Sequence, residues 1–228
     1  MTAVVVKIGG SLLTHPHFAS GLRWWLSRQS RWRQVFLIVG GGEIIDAVRR
    51  IDAAQRCDAV AIHWLCVRLM RHTIELVAPW LPEATVLQRP TDWADCVDEA
   101  RPGCFLVPPD LFYSPDSGDS LPCDWTTTSD SIAALLANKL GTRNLVLLKS
   151  CPLPVNADVQ RLADLGIVDP TLPRLVDSDW RIECVAWPAD GERPGAGVVV
   201  AAGNPDERLP TLGSILHREG RGKGADFR

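Results

Sequence analysis

The sequence predicts an α/β fold: a three-layer αβα sandwich around a mostly parallel central sheet. Three observations carry that expectation. Short apolar runs rich in β-branched residues alternate with longer helical patterns, the order that gives parallel strands with helices on both faces. The first two runs each end in glycines, Gly9-Gly10 and Gly40-Gly41-Gly42, before a helical pattern begins. The length of 228 residues suits one large domain, stable without disulfides or a structural metal.

Each element follows from its residues. Ala3–Ile8 is almost wholly apolar, which marks a buried, parallel strand. Residues 18–30 place Leu22, Trp25 and Leu26 at helical spacing. Residues 35–39 form a second buried strand. Residues 43–54 form a helix with Ile44, Ile45, Val48 and Ile51 on one face and Arg49 and Arg50 on the other. A long helix over 58–78 is closed by Pro79. Residues 85–87 and 104–107 are short strands. Residues 108–124, rich in Pro, Asp, Ser and Gly, are a loop. Ser129 or Asp130 caps a helix over 130–140 that stops at Gly141. A buried strand at 145–149, a short helix at 158–165 and late strands at 182–187 and 197–202 complete the domain. The expected domain is 1–217, and 218–228, polar and Gly-rich, is expected to be a flexible tail.

Composition narrows the function. A net charge of −3 lacks the basic footprint that nucleic acid requires. No apolar run reaches the 18 residues of a membrane helix, and Met1–Leu13 lacks the basic leader of a signal peptide. Seven cysteines without a CxxC pair fit buried free thiols in a reducing compartment, so a cytoplasmic location is expected. Nine tryptophans, five of them within the first 80 residues, are expected in the core or as anchors of a subunit interface.

Three constellations carry chemistry. In the first, Lys7 ends the opening strand and Gly9, Gly10 and Ser11 follow. Glycines there let backbone N–H groups approach an anion, and Lys7 adds a compact positive charge. The plainer reading is a tight strand–helix turn with a snorkelling lysine. In the second, three consecutive glycines, Gly40 to Gly42, exceed what a turn needs, so something must pass close to the backbone. Both loops would open on one crevice at the carboxyl edge of the sheet. The third is the hydroxyl-rich run Thr126-Thr127-Thr128-Ser129-Asp130-Ser131. Capping accounts for Ser129 or Asp130, but not for five hydroxyls in six residues.

Together these motifs resemble the amino acid kinase family, which includes N-acetylglutamate, aspartate, glutamate and uridylate kinases and isopentenyl phosphate kinase. The resemblance spans about residues 3–180. In detail the chain is most similar to the branch that phosphorylates an (aminomethyl)furanylmethyl phosphate in methanofuran biosynthesis. The stretches Ala61-Ile62-His63-Trp64-Leu65 through Met70, and Trp125 through Ala134, carry that likeness. The resemblance implies an ATP-dependent kinase for a small molecule, with Mg²⁺ arriving on ATP. Lys7 would contact the phosphoryl group in flight, and Asp130 would orient the lysines. Gly9, Gly10, Ser11 and Ser129 would bind phosphates. Gly40, Gly41, Gly42 and Thr128 would hold the acceptor. His63 is either a core histidine or a donor to the acceptor phosphate. A homodimer is also implied.

The sequence departs from the family at two places. Lys149-Ser150-Cys151-Pro152 stands where many members carry Thr-Asp-x-x-Gly, and the stretch 166–174 lacks the family's second catalytic lysine. Lys149 or Arg174 would supply that charge; strand-end geometry favours Lys149. The other outcome is a catalytically weak homologue that binds a nucleotide or metabolite as a regulatory or complex-forming subunit.

Overall fold

Six apolar or snorkelling residues in succession leave β1 (Ala3–Ile8) no face for solvent, and it is buried along its whole length in the computed structural model. The structure describes residues 3–92, 95–96, 101–188, 193–195 and 197–202. The expected domain boundary at 217 and the tail 218–228 lie outside them. After β1 come α1 (Phe18–Ser27), β2 (Gln34–Val39), α2 (Gly42–Gln55), α3 (Ala59–Val77), β3 (Thr85–Val86) and β4 (Gly103–Leu106). Then follow α4 (Ser129–Lys139), β5 (Asn144–Lys149), α5 (Val159–Asp164), β6 (Arg181–Ala186) and β7 (Val198–Val200).

These strands form one sheet in the order β3-β4-β2-β1-β5-β6-β7. All pairs are parallel except β6–β7, where the chain returns antiparallel at the edge. Side-chain alternation splits the core in two. Val4, Val6 and Ile8 point to the face covered by α1, where they meet Phe18, Leu22 and Trp25. Ala3 and Val5 point to the face covered by α4, where Ile132, Ala133, Leu136 and Ala137 lie. That is the expected three-layer α/β arrangement. Lys7, two residues beyond Val5, belongs to the α4 face.

The helix expected over 43–54 forms as α2, and the expected burial of the cysteines is corrected. None of the residues of α2 is buried, although the sequence gives it an apolar stripe. The helix lines the crevice at the sheet's carboxyl edge instead of covering a sheet face, and Ile51 is left 57% exposed. The cysteines are all free, but only Cys96 and Cys184 are buried; Cys57 is exposed.

Candidate active site

Adjacent parallel strands bring two lysines to one place. β1 and β5 pair with Lys7 opposite Leu147, so Lys149 stands one pleat further along the same face. The start of α4 lies over both. Asp130, in its first turn, receives both ammoniums. Lys7 Nζ lies 3.0 Å from Asp130 Oδ1, and Lys149 Nζ lies 2.9 and 2.7 Å from its two carboxylate oxygens. Lys149 also donates to the carbonyl of Ile167 at 2.6 Å. The three side chains are only 5–8% exposed.

Burial opposes every charge in this cluster. For Lys7 desolvation dominates, and with repulsion from Lys149 it outweighs the attraction of Asp130, so its pKa falls below the ordinary lysine value. For Asp130 burial pushes the pKa up, but Lys149 and Lys7 together prevail and hold it at about 2. Two lysines thus share the single Asp130 carboxylate at the sheet edge. Arg174, the other candidate for the missing family charge, is exposed on the turn Leu172–Arg174, whereas Lys7, Asp130 and Lys149 are buried.

Asp169 is the residue that sequence reasoning missed. Its carboxylate accepts from the amide and hydroxyl of Thr128, the amide and hydroxyl of Ser131, and the amides of Thr171 and Leu172. It therefore caps α4 from a distant segment. Thr128, the residue preceding the helix, makes no side-chain cap bond, and Asp130 is turned toward the lysines. The expectation that Ser129 or Asp130 caps the helix is corrected. So is the unexplained hydroxyl run, because Thr128 and Ser131 serve Asp169 while Thr127 meets the Thr171 hydroxyl at 3.4 Å. Burial, then the nearby Asp130, push the pKa of Asp169 up. Its hydrogen bonds from Ser131 and Thr128 act against that push and favour the ionised form.

The glycine loops pack on each other. A Cβ on Gly10 would sit 2.0 Å from the Gly42 amide, and one on Gly42, at φ +53°, would sit 2.5 Å from the Gly10 carbonyl. What passes close to the second glycine loop is thus the first. Gly41 lies against Ile45, and Gly40 lies against the Ser129 hydroxyl. The amide of Gly9 donates to Leu148 O and that of Gly40 to Ile8 O. These two amides extend the sheet ladder, which corrects the expectation that Gly9 offers its N–H to a phosphate. The Ser11 hydroxyl lies 2.6 Å from that of Ser150, across the ends of β1 and β5.

Beside the lysine cluster opens a crevice of about 240 Å³. Gly10, Ser11, Gly41, Gly42, Thr128 and Ser129 form the end nearest the cluster. Ile45, Arg49, Ile62, His63 and Met70 of α2 and α3 form another wall, with Trp125 among the lining residues. His63 is buried, with Nε2 2.9 Å from the Tyr113 hydroxyl. Desolvation lowers its pKa against the pull of Asp124, which keeps the ring neutral at physiological pH. The structure thus gathers Lys7, Asp130 and Lys149 in one cluster, and Gly10, Ser11, Gly41, Gly42, His63, Thr128 and Ser129 around the adjoining crevice.

No protein-family model matches the chain. No curated protein matches it either. Solved structures do. The uridylate kinase of Archaeoglobus fulgidus is 17% identical, with a TM-score of 0.53, over 88% of this chain and 100% of that one. The UMP kinase of Bacillus anthracis is 13% identical, with a TM-score of 0.58, over 87% and 98%. The aspartate kinase of Synechocystis is 18% identical, with a TM-score of 0.56, over 90% of this chain but only 41% of its own. With its mostly parallel sheet and these likenesses, the chain has an α/β, amino acid kinase-like fold.

Proposed function

We propose that the chain is a phosphotransferase that moves the terminal phosphoryl group of ATP to a small molecule held in the crevice. One observation carries this reading: the paired ammoniums of Lys7 and Lys149, fixed on Asp130 beside two glycine loops. Phosphoryl transfer needs little covalent help from a protein. It needs reactants held in line and fixed charge where the phosphoryl oxygens pass. Buried ammoniums locked by a carboxylate meet that need without reorganising. The bond from phosphorus to the acceptor oxygen forms as the bond to ADP breaks. A phosphate acceptor is already anionic and requires no general base.

ATP fits the donor chemistry at the ends of β1 and β5, where the Ser11 and Ser150 hydroxyls meet next to Gly10. Among the described residues no group of three or more His, Cys, Asp or Glu side chains is placed to hold a metal ion. Mg²⁺ would come bound to the nucleotide, where it neutralises phosphate charge. Lys149 takes the part of the family's second lysine. The acceptor suggested by the sequence likeness is a small furan-type monophosphate on the route to a methanofuran-like C1 carrier. The apolar crevice, with an indole among its lining residues, suits a compact flat ring.

The test is ADP formation with ATP, Mg²⁺ and a panel of small alcohols and monophosphates, furan-type phosphates included. Acceptor-dependent ADP is the expected result. Nucleotide binding without turnover on any acceptor would overturn the reading in favour of a binding subunit.

A further inference from the structure

The crevice of about 240 Å³ is smaller than the range of about 300–1,000 Å³ usual for small-molecule pockets. Trp125 is held over it from α2. Its indole N–H donates to Asp52 Oδ2 at 2.7 Å, and the Arg49 guanidinium stacks on its ring at 4.2 Å. Asp52 is itself fixed, because its other oxygen accepts from the amide of Cys57 at 2.9 Å. On the loop side Asp124 Oδ1 accepts from the amide of Thr126, and Thr127 and Thr128 are tied to Thr171 and Asp169. The ring is thus anchored at both ends, and opening the crevice would break a charge-assisted hydrogen bond and a cation–π contact together.

We propose that Trp125, latched by Asp52 and Arg49, is a specificity-determining residue that limits the acceptor to compact molecules and excludes nucleoside monophosphates. This deepens the proposed phosphotransfer reading, since it names the acceptor class of that site. It also separates the chain chemically from the UMP kinases whose fold it shares. A nucleoside monophosphate needs room for a ribose and a base beyond its phosphate, more than a crevice of about 240 Å³ with a latched indole in its wall offers. The apolar lining from Ile45, Ile62, Val67, Met70 and Ile132 favours a single small ring or a short chain.

Direct binding of UMP tests the proposal without depending on catalysis. By calorimetry the unmodified protein should show no saturable UMP binding at millimolar concentration. Trp125→Ala should bind UMP more tightly by about tenfold or more. Trp125→Leu keeps apolar cover but loses the ring and the Asp52 bond, and should give the same direction if the alanine variant fails to fold. Saturable UMP binding by the unmodified protein would overturn the proposal. So would an unchanged, absent response in a folded Trp125 variant. Absence of turnover with every acceptor, alongside the predicted change in UMP binding, would instead sink the kinase reading and leave the size limit standing.

Discussion

At the scale of single residues, the lysine pair makes the sharpest predictions. Lys7→Ala removes one preorganised charge and should lower kcat by about two orders of magnitude or more; Lys149→Ala should do the same. By position alone, a strand-end lysine would leave folding indifferent to the first change. The structure argues otherwise, because Lys7 is buried on Asp130 and its loss leaves part of a buried carboxylate unmet, at about 1–3 kcal/mol. Titration separates the two roles. Asp130 sits at about 2 against about 3.9 unfolded. Its stabilisation is therefore present above about pH 4 and lost as pH falls through the folded value. Lys7 is lowered instead, so the unfolded chain keeps that proton to higher pH. Its contribution to stability rises with pH through the alkaline window, while activity that needs charged Lys7 falls there. Opposite alkaline slopes in urea midpoint and in kcat/KM are expected; parallel slopes would remove Lys7 from the reaction. Lys7, Asp130 and Lys149 were legible because strand ends and helix starts announce themselves in sequence. Asp169 was not, because its six donors come from segments about forty residues away and from its own turn, and no local pattern marks that.

At the scale of elements, the paired glycine loops place β1, β2, α2 and the crevice in register. Gly10→Ala would drive a methyl into the Gly42 amide, and Gly42→Ala combines a backbone clash with a positive φ. Each should cost about 1–3 kcal/mol, the range for overpacking, and should disturb the crevice. Gly166 also has a positive φ, but a Cβ there meets nothing; Gly166→Ala should cost about 1 kcal/mol or less. Urea denaturation of the three variants checks the order, and equal losses would show that loop contact is not what fixes Gly10 and Gly42. The glycines were readable as sites of close approach, but the sequence could not say that the approaching group is the other loop. The elements themselves were legible where one period dominates, as in β1, β2 and α3. For crevice-lining α2 the helix was legible but its setting was not, because an apolar stripe does not record which body, if any, lies against it.

At the scale of the whole molecule, that uncovered stripe bears on assembly. α2 buries none of its residues, and Ile51 on α2, with Val60 and Leu76 on α3, is at least half exposed. Exposed aliphatics that join into one contiguous patch mark surfaces that associate. The tryptophans, expected in the core or at an interface, are mostly engaged within the chain: Trp25 and Trp187 are buried, and Trp24, Trp32 and Trp80 pack against the same core. A homodimer, implied by the resemblance, would find its material on α2 and α3. Sedimentation at micromolar concentration should give a dimer, and Ile51→Asp combined with Leu76→Asp should shift it toward monomer, because a charge buried at an interface without a partner is strongly unfavourable. The same helices wall the crevice through Ile45, Arg49, Ile62 and His63. Dimerisation would hold them in place, so the monomerised variant should show a raised KM for the acceptor with KM for ATP little changed. A monomeric unmodified protein, or a double variant that stays dimeric, would refute α2 and α3 as the interface.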